Sequence, residues 1–169
     1  MKTDLTKKIE QALIQKYCSG TFKMHYGALE VPVNYSLGKG KQNVDFALYD
    51  PKNQDLSCFE IKVSKSDFNS NASLSFMGNK NYLVASADLA TYLKENWHNQ
   101  KERQLWTHSD LPLHGIGLIS YDEKQDNLSI LINARHHDIH LAQKTSLLEG
   151  ILRAGCRDAE KAYLNGLCL

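Results

Sequence analysis

The sequence lacks paired cysteines, long apolar runs and an excess of either charge. Its four cysteines, at positions 18, 58, 156 and 168, form no C-x-x-C pair, which favours reduced thiols in a cytoplasmic protein. No apolar run approaches the roughly 20 residues that span a bilayer. The N-terminal MKTDLTKKIEQAL lacks the apolar core of a signal peptide. We therefore expect a cytoplasmic chain with no membrane partner.

The charge balance and length narrow the range of functions. Lys and Arg total 20 against 19 Asp and Glu, a formal net charge of +1. This balance excludes a chain that coats nucleic acid by charge alone, although a local basic surface remains compatible with it. At 169 residues and 42% hydrophobic, without a repeat or Pro-rich linker, the chain fits a single domain over 1–169.

Apolar periodicity predicts a sheet flanked by helices. A helical stripe covers about 4–18, and further helical patterns cover about 66–76, 88–97 and 146–164. Alternating or continuous apolar runs predict strands in the following segments: 29–35, 44–49, 57–63, NYLVAS, GIGLISY and LSILINA. The order is αβββαβαββα, an α/β fold with a mixed sheet. Because Pro32 lacks an amide donor, its strand should lie at a sheet edge or contain a bulge.

Two neighbouring strands each place a carboxylate among apolar residues. Pairing Val44 with Ile61, Phe46 with Phe59 and Leu48 with Ser57 matches their apolar faces. That register puts Asp45 opposite Glu60, with Cβ atoms roughly 5 Å apart, where two like charges repel. A divalent cation such as Mg²⁺ would relieve the repulsion, since it binds carboxylate oxygens and retains water. An ordinary solvated strand face is the alternative.

Two further charged residues are predicted beside this pair. Lys62 lies two positions after Glu60 and so emerges on the same face, where it could contact a phosphate oxygen or stabilise developing charge. By the same alternation, Glu30 would share that face if its strand pairs with 44–49.

The pattern D45-x14-E60-x-K62, in VDFALYD followed by CFEIKVSKSDF, resembles the PD-(D/E)XK nuclease superfamily, and most closely its MmcB-type DNA-repair branch and related phage and bacterial proteins. The resemblance implies a restriction-endonuclease-like core and phosphodiester hydrolysis that depends on Mg²⁺ or Mn²⁺. Asp45, Glu60 and the carbonyl of Ile61 would bind the metal, and Lys62 would be the catalytic lysine.

The resemblance leaves the additional acid open between two residues. Glu30, in LEVPV, matches an acid that precedes the first motif in the MmcB-type branch, whereas Glu10 on the first helix matches many other superfamily members. The segment NSNASLSFMGNK departs from the MmcB-type pattern, since it lacks the Asp, Lys and Trp expected after the lysine motif. Altered substrate choice or weak activity is compatible with this departure.

The resulting expectation is a DNA nuclease of repair, recombination or phage DNA processing. Lys39 and Lys41 in the GKGK turn, with Lys65 after the lysine motif, are the expected DNA contacts. A homodimer remains an alternative to a monomer. The competing hypothesis is a nuclease-fold module that binds DNA or a protein without cutting.

A histidine-based zinc protein is a third hypothesis. His136 and His140 have the i, i+4 spacing of metal ligands, which converge only if their segment is helical. The segment follows a strand pattern and lacks the H-E-x-x-H glutamate, so surface histidines are favoured.

Overall fold

The computed structural model describes residues 2–20, 24–33, 42–70 and 74–166. Their strands form one six-stranded mixed sheet in the order β1-β2-β3-β4-β5-β6. β3 pairs with β4, and β4 with β5, in parallel, while the other neighbours are antiparallel. The strands are β1 (Tyr26–Val33), β2 (Gln42–Asp50), β3 (Asp55–Lys62), β4 (Lys80–Ser86), β5 (Gly117–Asp122) and β6 (Asn127–Ile132).

Five helices connect or flank these strands in the described residues. They are α1 (Asp4–Tyr17), α2 (Lys65–Phe68), α3 (Ala87–Asn96), α4 (Gln100–Arg103) and α5 (Leu141–Leu164). The α/β architecture with a helix-flanked mixed sheet agrees with the sequence prediction, but α4 is an additional helix. The prediction of a helix over 66–76 is wrong, because α2 ends at Phe68 and the Ser75 amide bonds to a side chain.

Helices cover both faces of the sheet. On the first face, α1 packs through Ile9 and Leu13 against Phe46, Phe59 and the residues around them. On the second face, α5 covers β1 and β2 while α3 covers the β4 and β5 end. The sheet is therefore the middle layer of three.

The edge position of β1 confirms the expectation for Pro32, because β1 pairs with β2 alone within the sheet. Tyr35, which the sequence places on the same strand, lies outside the described residues. In the described part of the chain, no helix is both long and apolar enough to cross a membrane.

The first two strands change face where they pass the candidate acids. Leu29 and Phe46 pack on the first face, whereas Val31 and Val44, one pair further along, pack on the second. The prediction that Val44 shares a face with Phe46 is therefore wrong. The backbone of Glu30 supplies the reason, since its φ of 49° lies in the left-handed region and breaks the strand alternation.

Candidate functional site: an acidic crease beside a buried lysine

The site forms where β2 and β3 stop pairing. The predicted register is confirmed at Phe46 with Phe59 and at Leu48 with Ser57. The ladder ends at Phe46 and Phe59, so the predicted pair of Val44 with Ile61 does not form. The open ends of the two strands leave backbone groups of β3 facing the place where the acids emerge.

Asp45 spans this opening with its side chain. Its Oδ2 accepts a hydrogen bond from the backbone N–H of Ile61 at 2.8 Å. In an extended strand the N–H and C=O of one residue point to the same edge, so the Ile61 carbonyl also faces Asp45. One carboxylate and one carbonyl are thus brought to the same edge of β3.

Glu60 places a second carboxyl group beside Asp45. Its Oε1 accepts the backbone N–H of Ser75 at 3.0 Å, and the residue is 4% exposed. Burial, and then the charge of Asp45, raise the pKa of Glu60 to about 8. Burial likewise raises the pKa of Asp45, against the hydrogen bond from Ile61. The two acids therefore share a site that disfavours two negative charges.

Lys62 is buried on the same strand and held by α2. Alternation along β3 puts Glu60 and Lys62 on one face, opposite Phe59 and Ile61. The Lys62 Nζ lies 3.5 Å from Asp67 Oδ1, and Asp67 Oδ2 accepts the N–H of Val63 at 3.1 Å.

The start of α2 fixes Asp67 in turn. Ser64 caps the helix, with its hydroxyl accepting the N–H of Asp67 at 3.1 Å. The carboxylate of Asp67 therefore orients both the lysine side chain and the backbone that follows it.

Both candidates for the additional acid contact the same lysine. The ammonium of Lys2 pairs with a carboxylate oxygen of Glu10 and, at 2.5 Å, with Oε1 of Glu30. Its charge also favours the ionised form of Asp45, whereas the charge of Glu30 disfavours it. Lys2 is thus a cation of the chain itself among three acids, Glu10, Glu30 and Asp45. We call the place where these acids meet Glu60, at the open ends of β2 and β3, the acidic crease.

An arginine from α5 holds the left-handed turn at Glu30. Arg157 donates from Nη2 to the carbonyl of Leu29 at 2.9 Å and from Nη1 to that of Glu30 at 3.2 Å. Its Nε donates to Asp158. These bonds satisfy carbonyls at the strand distortion and fix its position against α5.

The expected DNA contacts are only partly described. Lys39 and Lys41 lie outside the described residues. Lys65 is exposed, and its ammonium lies 3.5 Å from the centroid of the Tyr92 ring, a cation–π contact. It stands at the start of α2, three positions from Lys62, and remains available at the surface.

The histidine pair does not form a metal site. Residues 133–140 are not helical, so His136 and His140 lack the geometry that the i, i+4 spacing requires. His136 instead lies 3.0 Å from a carboxylate oxygen of Asp55.

The oxygen atoms at the crease suit a hard cation that needs few protein ligands. In the described residues, no group of three or more His, Cys, Asp or Glu side chains could hold a metal ion, so a metal here would be bound by two carboxylates and a backbone carbonyl. Mg²⁺ and Mn²⁺ are often bound by one or two carboxylates together with waters and substrate oxygens. Asp45, Glu60 and the Ile61 carbonyl provide such oxygens, and a bound cation would offset the burial and the Asp45 charge that raise the pKa of Glu60.

Sequence reasoning missed the residues that position this site. Asp67 occupies the first turn of α2 after a capping serine, a pattern visible in the sequence, but its contact with Lys62 needs the helix to fold back. Lys2 and Arg157 reach the crease from both ends of the chain, and no spacing rule connects them to it.

Comparisons with known proteins define the fold alone. No protein-family model matches the chain, and no curated protein matches it. Among solved structures, a protein of unknown function from Silicibacter pomeroyi is similar at a TM-score of 0.53 and 14% sequence identity. The match covers 86% of this chain and 83% of that one. The two chains thus share an α/β architecture over most of their length.

Proposed function

We propose that this protein is a metal-dependent DNA nuclease with a restriction-endonuclease-like core. The observation that supports the proposal is the crease itself, where Asp45 bonds to the amide of Ile61 beside buried Glu60 and Lys62. The spacing D45-x14-E60-x-K62 also fits the PD-(D/E)XK nuclease superfamily. If Lys62 and Glu60 were only ordinary surface charges, they would be exposed to solvent, but they are 6% and 4% exposed.

Each residue has a role that follows from its position. Asp45, Glu60 and the Ile61 carbonyl would hold Mg²⁺ or Mn²⁺, which would lower the pKa of bound water and neutralise charge on the phosphate. Lys62 would place a positive charge where it stabilises the negative charge that develops on the phosphate oxygens. Asp67 orients that lysine.

The alternative is a module with this fold that binds DNA or a protein without cutting. It is favoured by the Lys62–Asp67 pair, which partly neutralises the lysine, and by the lack of a third metal-ligating side chain among the described residues. The two functions differ in whether cleavage occurs when divalent metal is supplied.

The test is cleavage of single-stranded, double-stranded and branched DNA with Mg²⁺ or Mn²⁺ by wild type, Lys62→Ala and Lys62→Met. Methionine keeps most of the buried volume, so it separates loss of charge from loss of packing. Cleavage should fall about 10²-fold or more in both variants. Lys52→Ala is the matched control, because Lys52 is exposed in the turn at the opposite end of the β2–β3 hairpin.

The DNA dissociation constant is measured at one stated salt concentration. One lysine accounts for about one unit of salt slope, so binding should change far less than cleavage. Undiminished cleavage in both Lys62 variants would remove Lys62 from the mechanism. Binding without cleavage of any substrate by wild type would establish the alternative.

A further inference from the structure

A cleft of about 600 Å³ opens on the second face of the sheet, next to the proposed site. Its size falls within the range of small-molecule sites. Its apolar lining includes Leu74 and Phe76. Its polar lining combines three histidines, among them His108, with Asn81, Gln143 and the two carboxylates of Asp110 and Asp138.

Two connections join this cleft to the acidic crease. Leu74 and Phe76 flank Ser75, whose amide bonds to Glu60, so one short segment lines the cleft and contacts the site. On the other wall, the ring of His108 packs edge-on against Phe68 at 5.8 Å between centroids. Phe68 directly follows Asp67, the partner of Lys62.

Most polar side chains of the cleft already have partners within the protein. Asn81 bonds to both backbone groups of Gly78, and Gln143 donates to the Met77 carbonyl. The ring of His114 bonds to Asp110, and the ring of His137 bonds to the His114 carbonyl. These contacts shape the walls but leave little for a ligand.

His108 differs from these residues. Its Nε2 is buried and has no hydrogen-bond partner among the described residues. Burial, followed by the charge of Lys62, lowers the pKa of His108, against the opposing charge of Asp110. The neutral form of the imidazole is therefore favoured, and its Nε2 can accept or donate one hydrogen bond, according to the tautomer. Leaving a buried polar atom without a partner is unfavourable, so a ligand that reaches this nitrogen and bonds to it gains affinity.

The local packing holds the imidazole in place. Thr107 bonds through both its amide and its hydroxyl to Asn69, at 3.2 and 2.8 Å. Trp106 packs on Phe68 with ring centroids 5.6 Å apart. The segment that contains His108 is thus fixed to the end of α2, the same helix that orients Lys62.

We propose that this cleft binds one nucleoside unit of the substrate strand, with His108 Nε2 as its hydrogen-bonding group and the apolar walls, including Phe76, against the base. The proposal rests on the proposed function, since the adjoining phosphate would lie at Lys62. Aromatic and apolar walls accept any base through its π-face, so the cleft would bind without strong sequence preference.

The experiment is an NMR titration of the His108 imidazole nitrogens in metal-free protein. Three probes are compared: deoxythymidine 5′-monophosphate, thymidine and inorganic phosphate. The nucleotide should cause a saturable shift at Nε2, thymidine the same shift at higher concentration, and phosphate none of comparable size. An equal shift with phosphate alone would mean that His108 senses only an anion near Lys62, and would overturn the proposal.

Two variants test the hydrogen bond. His108→Phe keeps a ring against Phe68 but removes both nitrogens, and the nucleotide dissociation constant, followed by calorimetry, should rise about tenfold. His108→Gln restores a polar group and should recover most of the loss. Unchanged affinity in His108→Phe, with its thermal transition intact, would overturn the assignment.

Cleavage assays keep this proposal separate from the proposed function. If wild type cleaves DNA with metal but its His108 signals do not shift with the nucleotide, nucleotide binding in the cleft is rejected and the proposed nuclease function stands. Saturable binding at His108 in a protein that cuts no DNA would reject the nuclease and support a nucleotide-binding cleft.

Discussion

Glu60 holds a carboxyl group where water cannot solvate its charge. The folded protein raises its pKa from the ordinary 4.5 to about 8, through burial first and the charge of Asp45 second. Between these two pH values the native state keeps a proton that the unfolded chain releases. The free energy of unfolding therefore falls as pH rises through this window.

We expect Glu60→Gln to remove most of that pH dependence in metal-free buffer. One pKa unit corresponds to about 1.4 kcal/mol, so the variant should gain about 2–4 kcal/mol over wild type between pH 5 and pH 9. Urea denaturation at several pH values measures the difference. Glu160→Gln, at an exposed position of α5, is the control and should follow wild type. A constant difference between Glu60→Gln and wild type would show that Glu60 is ionised throughout.

Lys2 places a cation of the protein next to Glu10 and Glu30, where its charge also acts on the proposed metal ligand Asp45. Although burial opposes it, hydrogen bonds to Glu10 and Glu30 raise the pKa of Lys2. Lys2→Met removes a positive charge that repels an incoming cation and leaves the three acids in place. Because the lysine is partly exposed, the effect should be about 1 kcal/mol or less, which is up to about a fivefold gain in Mn²⁺ affinity.

Calorimetric titration with Mn²⁺ measures this gain. Lys7→Met is the matched control on the same helix, since Lys7 pairs with Asp4 rather than with the acids of the crease. Weaker Mn²⁺ binding by Lys2→Met would mean instead that Lys2 positions Glu10 and Glu30 for the metal.

The geometry of the crease depends on how closely α5 approaches β1. Gly150 permits this approach, because a Cβ at this position would lie 2.4 Å from the carbonyl oxygen of Pro32 and 2.7 Å from Val31. About two turns further along the helix, Arg157 binds the carbonyls of Leu29 and Glu30. Close packing at one point thus allows the hydrogen bonds at the other.

We expect Gly150→Ala to destabilise the protein by about 1–3 kcal/mol, because the clash with backbone outweighs the better helix propensity of alanine. Gly155→Ala is the matched control on the same helix, where a Cβ meets nothing within 4 Å. That variant should be neutral or stabilised by up to about 1 kcal/mol. Equal urea midpoints for both variants would show that α5 can shift away from β1 at little cost.

The sequence predicts the regular elements better than their interruptions. Phe46 and Phe59 could be paired from apolar alternation, and Pro32 could be assigned to an edge from its missing donor. The face change at Glu30 could not be predicted, since it depends on a left-handed residue stabilised by an arginine 127 positions away. The early end of α2 could not be predicted either, and Asn69 and Ser75, which follow it, make tertiary contacts with Thr107 and Glu60.

The candidate site follows the same division. Spacing and the register at Phe46 and Phe59 bring Asp45, Glu60 and Lys62 to one end of the hairpin, although the ladder ends before Asp45 and Glu60 can pair. Lys2, Asp67, Arg157 and His108 act through contacts between distant segments. Charge and helix patterns give no signal for such contacts in a single sequence.

Metal binding should raise the free energy of unfolding of the entire protein. Mn²⁺ at about 100 times its dissociation constant adds about 2.7 kcal/mol to the native state, or about 5–10 °C in the midpoint of a domain this size. Asp45→Asn should lose most of this increase. Without metal, the variant should be as stable as wild type or more so, because repulsion with Glu60 is reduced.

Differential scanning fluorimetry with and without Mn²⁺ makes the comparison at pH 8. Asp88→Asn, an exposed substitution in α3, should respond to Mn²⁺ as wild type does. Equal metal-induced shifts in Asp45→Asn and wild type would exclude Asp45 as a ligand.

The face change in β1 also bears on how copies of this protein behave together. β1 is an edge strand, and an exposed straight edge can template pairing with another chain. Pro32 offers no donor along that edge, and the left-handed residue at Glu30 bends the strand two positions earlier. The distortion that brings an acid to the crease therefore also protects the edge of the sheet against aggregation.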